Sequence, residues 1–95
     1  MKITIQSPDF KADQKLLDHV TEKVDKLGRF SDRIHDASVT LKLDKSDTRE
    51  NKICEIRLGI RGNDLFSVKQ CKTFEEAASR ASDALRSQIE AWKGN

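Results

Sequence analysis

Ala37-Ser38-Val39-Thr40-Leu41-Lys42-Leu43 and Lys52-Ile53-Cys54-Glu55-Ile56-Arg57-Leu58-Gly59-Ile60-Arg61 decide the fold, because each alternates apolar and polar residues. Val39, Leu41 and Leu43 share one side of the first run. Cys54, Ile56, Leu58 and Ile60 share one side of the second, with only Ile53 out of step. A two-residue period of this kind is the mark of a strand with one buried face. Between the two runs, Asp44 to Asn51 contains no hydrophobic residue, which predicts an exposed hairpin loop.

Downstream, Gly62-Asn63-Asp64 has turn chemistry, and Leu65-Phe66-Ser67-Val68-Lys69 reads as a fourth strand in hairpin contact with the third, with Phe66 alternating with its core. Thr73-Phe74-Glu75-Glu76 then fits a capping box, Thr73 capping and Glu76 reaching back. The helix it opens carries Phe74, Ala77, Ala78, Ala81, Ala84, Leu85, Ile89 and Trp92 on one stripe, with small residues that suit close approach to a sheet.

Upstream, Arg29 to Asp36 shows no period and reads as a connector. From Asp13 to Gly28, the spacing of Leu16, Leu17, Val20, Val24 and Leu27 predicts an amphipathic helix, with Asp13 as N-cap and Gly28 as stop. Met1 to Gln6 alternates around Ile3 and Ile5 until Ser7-Pro8-Asp9 breaks it, giving a first strand. The order is βαβββα: an α+β fold, with a four-stranded, mostly antiparallel sheet and two helices packed on one face. With 95 residues, one hydrophobic core is affordable and a second is not, so residues 1–95 are expected to form one domain.

The charged and hydrophobic fractions are both 36%, which implies a shallow core beneath a charged exterior. Eighteen Lys and Arg against sixteen Asp and Glu leave +2, far from the excess of a tail-driven nucleic-acid binder. Met1-Lys2-Ile3-Thr4-Ile5 gives way to charge by Asp9, too soon for a signal peptide or membrane span. Cys54 and Cys71 lack Cys-x-x-Cys spacing and read as reduced structural thiols. A soluble, cytoplasmic chain is expected.

Charge is segregated on the first helix. Lys15, His19, Lys23 and Lys26 form one strip beside the apolar stripe, which Arg29 extends and Arg33 in the connector augments, while Asp18, Thr21 and Asp25 take the far side and Glu22 stands near the bases. A basic strip of this kind suits a phosphate backbone, because Lys and Arg release condensed counterions on contact. On the second helix Arg86 and Lys93 share a flank and Arg80 lies on the other, diluted by Glu75, Glu76, Asp83 and Glu90. With four Phe, one Trp and no Tyr, stacking platforms are few. Phe74 and Trp92 read as core and Phe10 and Phe30 as lids on it, so backbone and shape recognition of folded RNA is the implied mode.

Catalytic patterns are absent. His19 and His35 have no metal-ligand spacing, and neither a Gly-rich phosphate loop nor a Gly-x-Ser-x-Gly motif occurs. No enzyme activity, metal, cofactor or small-molecule substrate is expected. A thiol enzyme using Cys71, its pKa lowered by the following helix dipole, is a minor alternative.

Three stretches resemble the ribosome hibernation-promoting factor and ribosome-associated translation inhibitor family. They are Lys2-Ile3-Thr4-Ile5-Gln6; Val20-Thr21-Glu22-Lys23-Val24-Asp25-Lys26-Leu27-Gly28-Arg29-Phe30 with Ile34 and Val39-Thr40-Leu41; and Phe74-Glu75-Glu76-Ala77-Ala78 with Ala84-Leu85 and Gln88-Ile89. The resemblance implies a domain akin to double-stranded-RNA-binding modules. It would lodge in the decoding channel of the small ribosomal subunit and block messenger and transfer RNA in stress or stationary phase. It further implies ribosome-facing bases at Lys23, Lys26, Arg29, Arg80, Arg86 and Lys93. The closing Leu85 to Asn95 holds only Arg86 and Lys93 as cations, where family members commonly crowd lysines and arginines, so a thin electrostatic anchor is expected; the tail is also too short for the second, dimerising domain of the family's long forms, so the resemblance implies a short form. A module of another class, pairing through an exposed sheet face bearing Thr40, Lys42, Arg57 and Arg61, is the competing reading.

Overall fold

The computed structural model describes residues 1–45 and 49–93, with side chains through Trp92. Strand β1 (Lys2–Gln6) leads to helix α1 (Gln14–Leu27) and a 3-10 turn (Gly28–Phe30). Strands β2 (Ile34–Leu43), β3 (Lys52–Ile60) and β4 (Leu65–Cys71) follow, and helix α2 (Phe74–Lys93) closes the order βαβββα. The sheet runs β1-β2-β3-β4. β1 lies parallel to β2, with Ile3 opposite Ala37 and Ile5 opposite Val39, and the other pairings are antiparallel. Parallel neighbours cannot be joined by a tight turn, and α1 is the crossover that joins them. Asp44 N–H donates to the Asn51 carbonyl at 2.8 Å and closes the β2–β3 loop, whose residues 46–48 lie outside the described residues. Among the described residues, no helix is long and apolar enough to cross a membrane.

One core lies between the sheet and the helices. Val39, Leu41, Cys54, Ile56 and Leu58 face Val20 and Val24 of α1 and Ala77, Ala78, Ala81, Leu85 and Ile89 of α2, all buried. Each fully buried Leu or Ile contributes roughly 1.5–3 kcal/mol of transfer free energy. Phe10 stacks on Phe74 with ring centroids 4.6 Å apart, sealing one end of this layer. Helix starts follow their caps: Asp13 Oδ1 accepts from Leu16 N–H at 2.8 Å, and Thr73 Oγ1 accepts from Glu76 N–H at 3.1 Å.

The structure departs from the sequence reading in several places. β2 begins at Ile34, inside the expected connector, and its register shifts between Ile34 and Asp36. The irregularity puts Ile34 and Ala37 on the buried side three residues apart, which hides the two-residue period. β4 continues to Cys71, and its inward positions are Ser67 and Cys71. Phe66, expected to alternate with the core, is 53% exposed and Val68 45% exposed on the open face. Gly28 ends α1 in right-handed conformation by tightening into the 3-10 turn, not as a left-handed cap. The Glu76 carboxylate, expected to reach back to Thr73, instead takes Arg80 at 2.9 Å.

Asp36 stands opposite Gly59, and a Cβ on Gly59 would lie 1.7 Å from Asp36 Oδ1. That oxygen is buried without a hydrogen-bond partner, although His35 Nδ1 lies 3.2 Å away, unaligned for one. Gly59→Ala should therefore lower stability by about 1–3 kcal/mol in a urea melt. Adding Asp36→Ala, which removes the two nearest atoms and leaves His35 Cε1 at 3.0 Å, should recover most of the loss; a single variant as stable as the parent would contradict the contact.

Candidate nucleic-acid interface

The basic strip of α1 lies on the flank that faces α2. His19 Nε2 sits 3.3 Å from the Glu75 carbonyl and 3.4 Å from Ser79 Oγ, bridging the helices near their N-terminal ends. Two turns further on, Lys23, Lys26, Leu27 and Phe30 line a groove of about 200 Å3 together with Ser82, Asp83 and Arg86 of α2. Cations from both helices meet there. At its floor Ser82 is only 5% exposed, and its Oγ is buried without a hydrogen-bond partner.

The 3-10 turn adds a second hollow beside the first, about 390 Å3 and lined by Arg29, Phe30, Ser31, Asp32 and Arg33. Phe30 borders both. Ser31 Oγ accepts from the Arg33 N–H at 3.2 Å, which tightens the chain leaving the turn. The Arg33 guanidinium lies 5.3 Å from the Trp92 ring centroid, and that of Arg86 lies 5.0 Å from the Phe30 centroid. Cations within about 6 Å of a ring are attracted by its negative face. Both rings, read from sequence as core and lid, are partly buried and packed against the core.

Of the eight cations singled out from sequence, Lys23, Lys26, Arg29, Arg33 and Arg86 thus share one end of the helix pair. Lys15 sits in the first turn of α1, eleven residues or roughly 16 Å along the axis from Lys26. Arg80 is turned to the other flank of α2, in an ion pair with Glu76. The Lys93 side chain lies outside the described residues.

Acids temper the patch. Lys26 pairs with Glu22 at 3.5 Å and Arg86 with Glu90 at 3.2 Å, each four residues apart on one helix, and Asp83 lines the groove. Exposed pairs of this kind are worth about 0.3–0.5 kcal/mol, so they yield readily to a phosphate. Lys15, Lys23, Arg29 and Arg33 make no ion pair among the described residues. Sequence reading missed Ser82 and Asp83 as groove residues; their spacing from Glu75 and Ser79 around α2 was the available signal.

The open sheet face is organised differently. Lys42 pairs with Glu55 at 2.7 Å, and Arg57 bonds both Asp64 at 2.8 Å and Ser38 at 3.1 Å. The bond from Arg57, and a second from Ile60 N–H, hold the Asp64 carboxyl below the usual carboxylate range. Lys42 and Arg57 are therefore occupied, Arg61 makes no ion pair among the described residues, and Phe66 and Val68 stand exposed beside them.

The model of the family described as sigma 54 modulation protein / S30EA ribosomal protein matches residues 3–95. The N-terminal domain of Protein Y from Thermus thermophilus is 22% identical, with 97% of this chain and 99% of that one covered and a TM-score of 0.82. A ribosomal subunit interface protein from Coxiella burnetii is 14% identical over 100% of both chains, with a TM-score of 0.83. Likeness at these identities shows a shared fold. No curated protein matches the chain.

Neither cysteine is set up as a nucleophile. Both are free and buried on the core side of the sheet. Burial, with Glu55 and Cys71 adding to it, pushes the Cys54 thiol up to about 12, and burial pushes Cys71 up as well. The expected lowering at Cys71 does not occur, because the thiol sits buried at the end of β4, where desolvation and the nearby Glu76 favour the neutral form over the opposing pull of Arg80. A raised thiol pKa keeps both sulfurs protonated at neutral and mildly alkaline pH. Iodoacetamide at pH 8.5 should therefore leave the native chain almost unlabelled by mass spectrometry and modify both cysteines once denaturant is added. Rapid native labelling would contradict the burial.

Proposed function

The chain belongs to the sigma 54 modulation protein / S30EA ribosomal protein family, and on that premise we propose that it is a ribosome-associated translation inhibitor acting by occupancy. In this reading residues 1–95 are one ribosome-binding domain. It seats the end of its helix pair in the decoding channel of the small subunit, where messenger and transfer RNA bind, under stress or in stationary phase. The site of action is then the cytoplasm. The name of the Coxiella protein, a ribosomal subunit interface protein, points in the same direction.

The observation that carries the proposal is the convergence of Lys23, Lys26 and Arg86 on one groove, with Arg29 and Arg33 in the adjoining hollow. Five cations at one end of a chain whose formal charge is only +2 concentrate positive potential where the whole-chain balance hides it. The hollows are shallow and no free aromatic face lines them, which suits phosphate backbones of folded RNA and not splayed bases. Occupancy needs no chemistry from the protein: inhibition follows from a filled channel. Lys15 and Lys93 would add outlying contacts, and Arg80 a peripheral one. The sheet-face alternative draws on exposed Phe66 and Val68 and on Arg61, yet two of its three cations, Lys42 and Arg57, are already paired.

Co-sedimentation with purified small subunits tests the reading. Binding should weaken steeply with salt, with a log–log slope of roughly −3.5 to −4.5 for about five phosphate contacts. Lys23→Glu with Lys26→Glu should abolish it, whereas Arg80→Ala should leave it nearly intact. Salt-independent binding, or full binding by the double variant, would favour the sheet face instead.

A further inference from the structure

The arginines at the end of the helix pair are held in a reciprocal arrangement. The turn after α1 supplies the cation Arg33 to the α2 ring Trp92, and α2 supplies the cation Arg86 to the turn's ring Phe30. Each segment thus gives one guanidinium and receives one. Both rings are partly buried and packed against the core, so their positions are fixed by the fold. Arg33 lies outside any helix or strand and pairs with no carboxylate among the described residues. The Trp92 contact is what orients it.

We infer that Phe30 and Trp92 are positioning residues of the RNA interface, which clasp Arg86 and Arg33 in place before any partner arrives. The inference deepens the functional reading above and rests on it. Its physical basis is the way a guanidinium uses a ring. A guanidinium held over a ring by its negative face keeps the N–H donors that point away from the ring available to fork onto a phosphate. Arg33 keeps all its donors in this way, while Arg86 gives its Nε–H to Glu90 Oε1 at 3.2 Å and keeps its terminal NH2 groups for a phosphate. Long side chains lose rotamer freedom on binding, so a cation already ordered in the free protein binds at lower entropic cost. The crossed pairs also tie the turn carrying Arg29 to the last turns of α2, making one surface from two separate segments.

Two measurements decide it. In the free chain, the side-chain Nε–Hε signals of Arg33 and Arg86 should be shifted by ring currents and show restricted motion by NMR relaxation. Trp92→Leu should return Arg33 alone to the position and mobility of an unstructured arginine. Phe30→Leu should remove the ring-current shift of Arg86, whose Nε–H stays bonded to Glu90, and Trp92→Phe should retain the ordered Arg33 signal. Backbone amide spectra that overlay elsewhere establish that the variants fold.

For small-subunit binding at low salt, Trp92→Leu should weaken affinity roughly three- to ten-fold, with Trp92→Phe restoring most of it. Because the ring acts through the arginine, Trp92→Leu should cost nothing further in an Arg33→Gln background. Unchanged arginine signals in Trp92→Leu, or full additivity with Arg33→Gln, would overturn the clasp while leaving the functional reading in place. A parent chain that fails to bind small subunits would instead overturn the functional reading and the clasp's role in it, and the NMR arm would still decide whether the arginines are held.

Discussion

The close approach of α2 to the sheet is the constraint on which the remaining architecture depends. Ala77, Ala78 and Ala81 are fully buried against the strands, and their small side chains let the helix axis sit low over β3 and β4. Leu85 and Ile89 then fill the layer further along the helix. Because α1 must cross the same face to connect two parallel strands, it is forced alongside α2. The groove between the helices, its cationic rim and the turn that closes its end are consequences of that packing. A larger side chain at any of the three alanines would lift α2 and widen the groove before any surface charge was altered.

The electrostatics of this surface is a matter of arrangement and not of total charge. Carboxylates accompany several of the cations, but they do so within a single helix at exposed positions, as with Glu22 and Glu90. Such partners keep the formal charge of the molecule near neutral while binding their bases only weakly. On the open face of the sheet Lys42 pairs across strands with Glu55, and Arg57 pairs with Asp64 in the turn that follows β3, the second backed by a backbone bond from Ile60 to Asp64. The two faces thus differ in the availability of their positive charge, although both contain it.

Most of the fold was legible because strand alternation and helical spacing are strictly local signals. Asp13, Thr73 and the alanine stripe announced the helices directly. The start of β2 was not legible, since its irregularity places Ile34 and Ala37 out of phase and no local pattern marks an extra residue. Phe66 and Ser67 were inverted for a related reason. A strand with apolar residues on both faces takes its orientation from the partners it meets, here Leu65 and Cys71 beneath α2. At the candidate site, the basic strip of α1 could be read from periodicity alone, but its meeting with Arg86 is a tertiary fact. Arg80 and Arg86 are six residues apart on one helix and stand on different flanks of it, a distinction whose significance depends on where α1 lies. The aromatic contacts of Arg33 and Arg86 had no sequence signal, because a ring packed on the core can still present a face outward.

Trp92 is the chain's one tryptophan, and it is seated at the margin of the molecule beneath Arg33, two turns beyond Leu85. Its intrinsic fluorescence therefore reports the C-terminal end of α2 and not the sheet core. Unfolding followed by that emission would register fraying of the last helical turn as readily as global collapse of the structure. Far-ultraviolet circular dichroism averages over both helices and would lose only a small part of its signal to fraying, so a fluorescence change that precedes the main circular dichroism transition would reveal independent melting of the helix end.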